Sequence, residues 1–380
     1  MRDFTVTSLS VTPGHPDKLC DHVSDAVVDA FRRLDPGARV EVESAVAAGI
    51  LFVACYTSSP ERPDLGSLAR DVVREAGYRH GDFDADQVPV MVSVTDLGPD
   101  HVTARGTDPE RVVATRNVTT FGYASERDPL GLPLPVALAH GLARELGALG
   151  RSGDRARRPG PDAQVQVTVR YQDRRPVAVE AVTVLAQLAG GDEGPLATRI
   201  EEDLVGAALA RLPDVDTGAA RIWINPEGVP VPGGPAHHAG LTGRKLGVDT
   251  YGDFCRQPSA ALSGKGLERI DRTATYAARH LARNLVAAGL AHECEIQLCY
   301  TIGRVGPAGV DVDSFGTGVL PDRELGRLLA ERVDLRPGAI RARFDVEGLR
   351  LAPLAVFGQL GRPDLDLPWE RTELVAALRR

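Results

Sequence analysis

Strand-like runs in this chain come in adjacent pairs with helical patterns between them, and the arrangement recurs along the chain. Residues 40–46 and 50–56 read as a strand pair around Ala48-Gly49. Before them, Pro16 and Asp17 suit the first turn of a helix. Leu19, Val23, Ala26, Val27, Ala30 and Phe31 then recur at helical spacing until Asp35-Pro36-Gly37. A helix over about 65–76 and a strand over 88–94 follow. The middle third holds a helix over about 135–149, a linker rich in Arg, Gly and Pro over 150–161, strands over 164–171 and 177–187, and a helix over about 196–212. The last third holds a strand over 221–225, a glycine-dense stretch over 228–266, a helix over about 272–288, strands near 293–302 and 310–315, and a helix over 322–333 before a short helical end. Strands that come in pairs, not in strict alternation with helices, favour α+β with mostly antiparallel sheets over a doubly wound fold. Three similar lobes are expected, over residues 1–111, 112–221 and 222–380, with interleaving. Residues 98–111 are polar and lack a period, so they read as an exposed loop.

Composition excludes several functions. The 380 residues carry 44 basic and 52 acidic side chains, a net charge of −8. That argues against a general nucleic-acid binder, which needs clustered basic charge. No apolar run approaches the ~20 residues of a membrane span, and Met-Arg-Asp-Phe-Thr does not open a signal peptide. Cys20, Cys55, Cys255, Cys294 and Cys299 are odd in number and form no C-x-x-C, which reads as free thiols in a reducing cytoplasm.

Lysine usage points to a site. Lys18, Lys245 and Lys265 are the only three lysines, and the other basic residues are arginines. The two side chains are interchangeable on a solvated surface but not where a compact ammonium meets a phosphate. All three lie beside glycines: Gly14-His15-Pro16-Asp17-Lys18, Gly240-Leu241-Thr242-Gly243-Arg244-Lys245 and Ser263-Gly264-Lys265-Gly266. The first is a capped helix start, or a turn where His15 donates to an oxyanion, Asp17 holds Mg²⁺ and the helix N-terminus attracts phosphate. The second is a long surface loop, or an anion site with paired cations. In the third, Asp271 caps a helix or binds a second Mg²⁺. His237-His238 reads as a polar loop more readily than as a metal pair. No P-loop, dinucleotide fingerprint, nucleophile elbow or zinc spacing is present.

Together these segments resemble the S-adenosylmethionine synthetase (methionine adenosyltransferase) family. The resemblance extends through Ser24-Asp25-Ala26, Phe121-Gly122-Tyr123-Ala124, Ile224-Asn225-Pro226, Gly233-Gly234-Pro235, Val248-Asp249-Thr250-Tyr251-Gly252, Tyr276-Ala277-Ala278-Arg279 and Phe315-Gly316-Thr317, nearly end to end. It implies three interleaved α+β lobes and a homodimer or dimer of dimers with shared active sites. It implies a reaction in which a nucleophile, methionine sulfur in the family, attacks C5′ of ATP and expels triphosphate, which is then hydrolysed to diphosphate and phosphate. A sulfur lone pair carries no proton, so no general base is required; the demand is a home for a polyanionic leaving group. By position, His15, Lys18, Gln164, Arg244, Lys245, Ser263, Lys265 and Arg269 would bind ATP and its phosphates, with His15, Arg244, Lys245 and Lys265 central to catalysis. Asp17 and Asp271 would hold two Mg²⁺, and Glu43 a K⁺. Residues 98–111 match the family's gating loop.

The departures concentrate at one end of the site. Arg269 stands where the family usually has lysine, and Gln164 replaces a phosphate-binding lysine. Where the family uses acids or amides around methionine and ribose, this chain has Tyr56, Leu97, Arg116 and His238; an aromatic shelf has become Pro230, and Ile302 completes the altered pocket. Leu9 and Pro13 replace glutamates, and residues 257–260 lack a glycine run. The phosphate half thus reads as retained and the methionine half as rewritten. A non-methionine nucleophile, a triphosphate hydrolase and a non-catalytic ATP-binding scaffold are the competing expectations.

Overall fold

The computed structural model of the chain describes residues 3–98, 111–151, 159–188, 193–227 and 233–379. Its strands are β1 (Asp3–Val11), β2 (Val40–Ala47), β3 (Ile50–Thr57), β4 (Val90–Asp96), β5 (Val118–Ser125), β6 (Pro159–Gln172), β7 (Arg175–Leu188), β8 (Arg221–Ile224), β9 (Gly240–Leu241), β10 (Glu293–Tyr300) and β11 (Pro307–Asp313). Its helices are α1 (Pro16–Leu34), α2 (Leu65–Ala76), α3 (Leu134–Arg151), α4 (Glu193–Arg199), α5 (Ala207–Leu209), α6 (Leu246–Asp249), α7 (Ile270–Ala287), α8 (Asp322–Arg332), α9 (Pro337–Phe344) and α10 (Val375–Leu378), with a π-helical stretch, Ile200–Gly206, joining α4 to α5. None of the described helices is long and apolar enough to cross a membrane.

Three sheets form, in the orders β1-β6-β7-β8, β4-β3-β2-β9 and β11-β10-β5. Among the described strands β3–β4 and β7–β8 pair in parallel and the other strand pairs are antiparallel. Each sheet has a long helix on one face: α1 on β2, α3 on β6 and β1, α7 on β5 and β10. The apolar alternation dictates this. Val40, Val42, Val46, Leu51, Val53 and Cys55 point inward against Leu19, Val23, Val27 and Phe31 of α1, leaving Glu41, Glu43 and Tyr56 on the opposite face. Val165, Val167, Val169, Val182 and Val184 meet Leu142 and Leu146 of α3 in a second core. The lobes share strands: β1 joins β6, and β9 joins β2, across long stretches of chain.

Several elements depart from their sequence expectation. The strand expected at 88–94 runs over Val90–Asp96, because Pro89 lacks an N–H and contributes only its carbonyl, to Leu51. β6 begins at Pro159, inside the expected linker. The helix expected over 196–212 is α4, a π-helical stretch and α5 in succession. β1 and β5 were not anticipated. β1 carries Thr and Ser among its apolar residues, and β5 is buried almost throughout, so neither alternates cleanly.

Candidate active site

The start of α1 and the segment after β9 converge. Gly240 lets them do so: a Cβ there would lie 2.2 Å from the backbone carbon of Pro16. The Leu241 amide then donates to Asp17 Oδ1 at 3.1 Å. Arg244 Nε lies 3.6 Å from Asp17 Oδ1 and Lys245 Nζ 3.8 Å from Oδ2, so both cations face the carboxylate without closing on it. His15 caps α1, its Nδ1 accepting from the Asp17 amide at 3.2 Å. With Nδ1 accepting, Nε2 carries the proton and is free to donate. Burial, then Lys245, Lys18, Arg244 and His238, lower the His15 pKa to about 3, so the ring is a neutral donor. His238 is an exposed residue of the same turn, its amide donating to Gly234 O.

Two supports of this group were not anticipated. Tyr78 Oη donates to Gly14 O at 2.6 Å. Asp162 accepts from the Gly234 amide at 2.8 Å; burial raises its pKa to about 6, with His238 and Lys245 opposing. Gln164 lies two residues beyond, in β6 between β1 and β7.

A second group hangs on the same edge of β2. Gly264, at φ +80°, passes its carbonyl to the Val42 amide at 2.7 Å. Lys265 pairs with Glu41 as an isolated bridge and turns Nζ to Asp271 Oδ2 at 2.7 Å and Ala261 O at 2.5 Å. Arg269, fully buried, donates to Glu41 and lies 3.4 Å from Asp271 Oδ1. Asp271 occupies the first turn of α7, where Arg269 is the N-cap and makes no side-chain cap bond. Burial would raise the Asp271 pKa, but Lys265 and Arg269 hold it below the ordinary value. Glu41, the hub here, went unnoticed in the sequence because an acid in a strand pattern looks like a solvated outward position. Among the described residues no hydrogen bond or ion pair joins the two groups.

Of the altered positions, Tyr56, Leu97, Arg116 and Ile302 follow the second group, whereas His238 lies in the first. Tyr56 stands opposite Glu41 in the β2–β3 register, and the Leu97 amide donates to Thr57 O at 2.7 Å. Arg116 Nη2 reaches Glu41 at 3.3 Å, and the Asn117 side chain accepts from the Ile302 amide at 2.9 Å. Pro230 and most of the expected gating loop lie outside the described residues.

Two expected phosphate ligands are placed elsewhere. Lys18 is sealed in the interior, donating to Asp21 at 2.7 Å and Asp249 at 2.5 Å. Burial would lower its pKa, but the two carboxylates raise it instead. Although it stands in the first turn of α1, its side chain is turned inward to Asp249 of α6. Ser263 is buried and accepts from Gln359 at 3.1 Å. His237 lies 3.7 Å from Asp82, and among the described residues no cluster of three His, Cys, Asp or Glu side chains forms a metal cage.

Metal fit is tested by the carboxylates themselves. Asp271 Oδ1 is buried with no hydrogen-bond partner, and the Asp17 carboxylate has its cations at 3.6 and 3.8 Å, beyond hydrogen-bond distance. A hard divalent ion held by one or two carboxylates plus phosphate oxygens suits such donors; a complete protein cage is not needed. Glu43, exposed on β2, makes no ion pair among the described residues.

The sheet-and-helix lobes thus carry two groups of charged side chains, of the kind that enzymes preorganise around a polyanion. Models of the S-adenosylmethionine synthetase N-terminal, central and C-terminal domains match residues 3–99, 111–229 and 232–371. The chain is 42% identical to an S-adenosylmethionine synthase of Prochlorococcus marinus (strain MIT 9303), covering 97% of this chain and 94% of that one. It is 41% identical to one of Synechococcus sp. (strain WH7803), with 98% and 95% covered, and 40% identical to one of Synechococcus sp. (strain RCC307), with 99% of each covered. The chain belongs to the S-adenosylmethionine synthetase family, a metal-dependent family, and is an ATP-dependent adenosyltransferase.

Proposed function

We propose that methionine sulfur is the nucleophile and that its product is S-adenosylmethionine. The sulfur lone pair forms the S–C5′ bond, the C5′–O5′ bond breaks, and its electron pair leaves with triphosphate, which is then hydrolysed to diphosphate and phosphate. No proton moves in the transfer step, consistent with a neutral His15. The carrying observation is that Arg244 and Lys245 stop 3.6 and 3.8 Å short of Asp17, leaving cationic donors unspent for a polyphosphate. His15 Nε2 would donate to a phosphate oxygen, and Lys265 and Arg269 would also hold the polyphosphate. Gln164 supplies an amide where a cation would serve better, which weakens leaving-group stabilisation by about 1–3 kcal/mol.

Asp17 and Asp271 would hold two Mg²⁺ and Glu43 a K⁺, neutralising charge on the leaving group. Asp271 Oδ1, which faces Arg269 but accepts no hydrogen bond, supports this reading. The two charged groups would be brought together between two copies of the chain, as a homodimer or dimer of dimers. Phe52, Tyr56, Met91 and Leu241 lie exposed on one sheet face, an apolar surface suited to such a partner. Five free cysteines suit the cytoplasm.

The test is incubation with ATP, Mg²⁺ and K⁺, with and without methionine, followed by mass spectrometry. Adenosylmethionine with diphosphate and phosphate is expected only when methionine is present. Phosphate release without methionine would mark a hydrolase, and ATP binding with no turnover a scaffold.

A further inference from the structure

Glu41 is surrounded by more positive charge than it can neutralise. Buried Arg269 donates to Glu41, and Arg116 Nη2 reaches both its oxygens at 3.3 and 3.4 Å. Arg39, at the head of β2, is close enough to be influenced by Arg269, Glu41, Glu268 and Arg116. Burial, then Arg269, lower its pKa. The Arg39 side chain makes no ion pair among the described residues, and its buried Nε has no hydrogen-bond partner. Glu268 does not redress the balance, since it is turned to the Val40 amide at 3.3 Å and burial raises its pKa. Arg116 and Arg269 therefore share Glu41, Arg269 also facing Asp271, while Arg39 stands by unpaired, and Arg116, 53% exposed, presents the surplus at the surface.

Apolar side chains are exposed on the loop joined to that of Arg116. Asn117 fixes the Ile302 amide, and the Ala114 amide donates to Arg304 O at 2.8 Å, so the loop of Arg116 is tied to that of Ile302. Ile302 is 59% and Val305 43% exposed, and Tyr56 stands across from Glu41. A fixed guanidinium with unspent donors beside open hydrocarbon recognises a carboxylate on an apolar arm.

We propose that Arg116, backed by Arg39, anchors the carboxylate of the sulfur nucleophile, so that the carboxylate and not the ammonium is the recognised group. This rests on the adenosyl-transfer reading above. Glu41 is already engaged by two guanidiniums and is poorly placed to receive an ammonium. The same surplus charge would also suit a phosphate of ATP, and the experiment separates the two anions.

Methionine, 4-(methylthio)butanoate and methioninamide are compared as nucleophiles in wild type, Arg116→Ala, Arg116→Lys and Arg39→Gln. The wild type is expected to use the deaminated acid at least as well as methionine, and to lose about 10- to 100-fold in kcat/KM with the amide, the range for a lost charge-assisted bond. Arg116→Ala should impose a similar loss on the two acids, little on the amide, and leave KM for ATP within about twofold. Arg116→Lys should recover part of it, and Arg39→Gln should give a smaller loss of the same pattern. Equal use of acid and amide by the wild type overturns the proposal, as does a rise in KM for ATP alone. Binding of the same compounds by calorimetry, with a non-hydrolysable ATP analogue present, gives the second readout. If no compound yields a sulfonium product, the transfer reading fails, while a calorimetric preference for acids lost in Arg116→Ala still supports the anchor. Absence of that preference sinks it.

Discussion

Lys18 and Lys245 converge on the same turn of chain but do opposite work. Lys18 is fully buried and closed on Asp21 and Asp249 at 2.7 and 2.5 Å. Lys245 is 26% exposed and stands 3.8 Å from Asp17. The sealed ammonium has its charge answered from within the protein, so it holds α1 to α6 and offers nothing to a ligand. The open one keeps its donors unspent. The difference teaches that charge near a helix start is spent on stability when two carboxylates enclose it, and stays available to a ligand when one carboxylate only faces it.

The sharpest way to break this contrast is Lys18→Met. It leaves two carboxylates facing one another in the interior and should cost about 3–5 kcal/mol of unfolding free energy in a denaturant titration. Unchanged stability would mean that Lys18 is not the structural charge its burial implies. Lys245→Ala and Lys265→Ala should instead reduce turnover by about 10²–10³-fold, equivalent to about 3–4 kcal/mol of barrier, while melting temperatures shift by only a few degrees. Full activity in either variant would remove that lysine from the site.

A third test sharpens the sealed side. His140 Nδ1 meets Ser10 Oγ at 2.8 Å, and Nε2 is buried without a partner. Burial, then Arg144, Arg362 and Lys18, lower its pKa to about 3. The unfolded chain takes up a proton below the ordinary histidine pKa while the folded chain does not. This residue's contribution is therefore complete above about pH 6.5 and is lost as pH falls toward 3. His140→Gln should flatten the fall in unfolding free energy between pH 6 and 4 by about 1.4 kcal/mol per pH unit. An unaltered slope would show that His140 is already charged in the fold. The smallest expected effect is Tyr78→Phe, which removes the donor to Gly14 O. About 1 kcal/mol of stability is expected to go, with a modest rise in KM for ATP.

The grouping around Asp17 was legible in sequence because its residues sit in short runs with strong local logic. Pro16 at the first helical position and Asp17 behind it mark a helix mouth, and Arg244-Lys245 between glycines marks a close backbone approach. What escaped notice shares one property. Glu41, Tyr78 and Asp162 each act on a partner distant in the chain: Arg269, Gly14 and Gly234. Lys18 failed in the same way, since Asp249 reaches it from 231 residues further on.

The alternation of Val40 to Cys55 and the helical stripe from Leu19 to Phe31 are local signals, and by themselves they determined an α+β chain of sheets backed by helices. Tertiary structure alone decided which edge of β2 receives β9 and residues 264–266, and hence which cations stand open and which are enclosed. The physical reason is range. Apolar periodicity is written over a few residues, whereas the burial and pairing of a charge depend on what the folded chain carries to it from elsewhere.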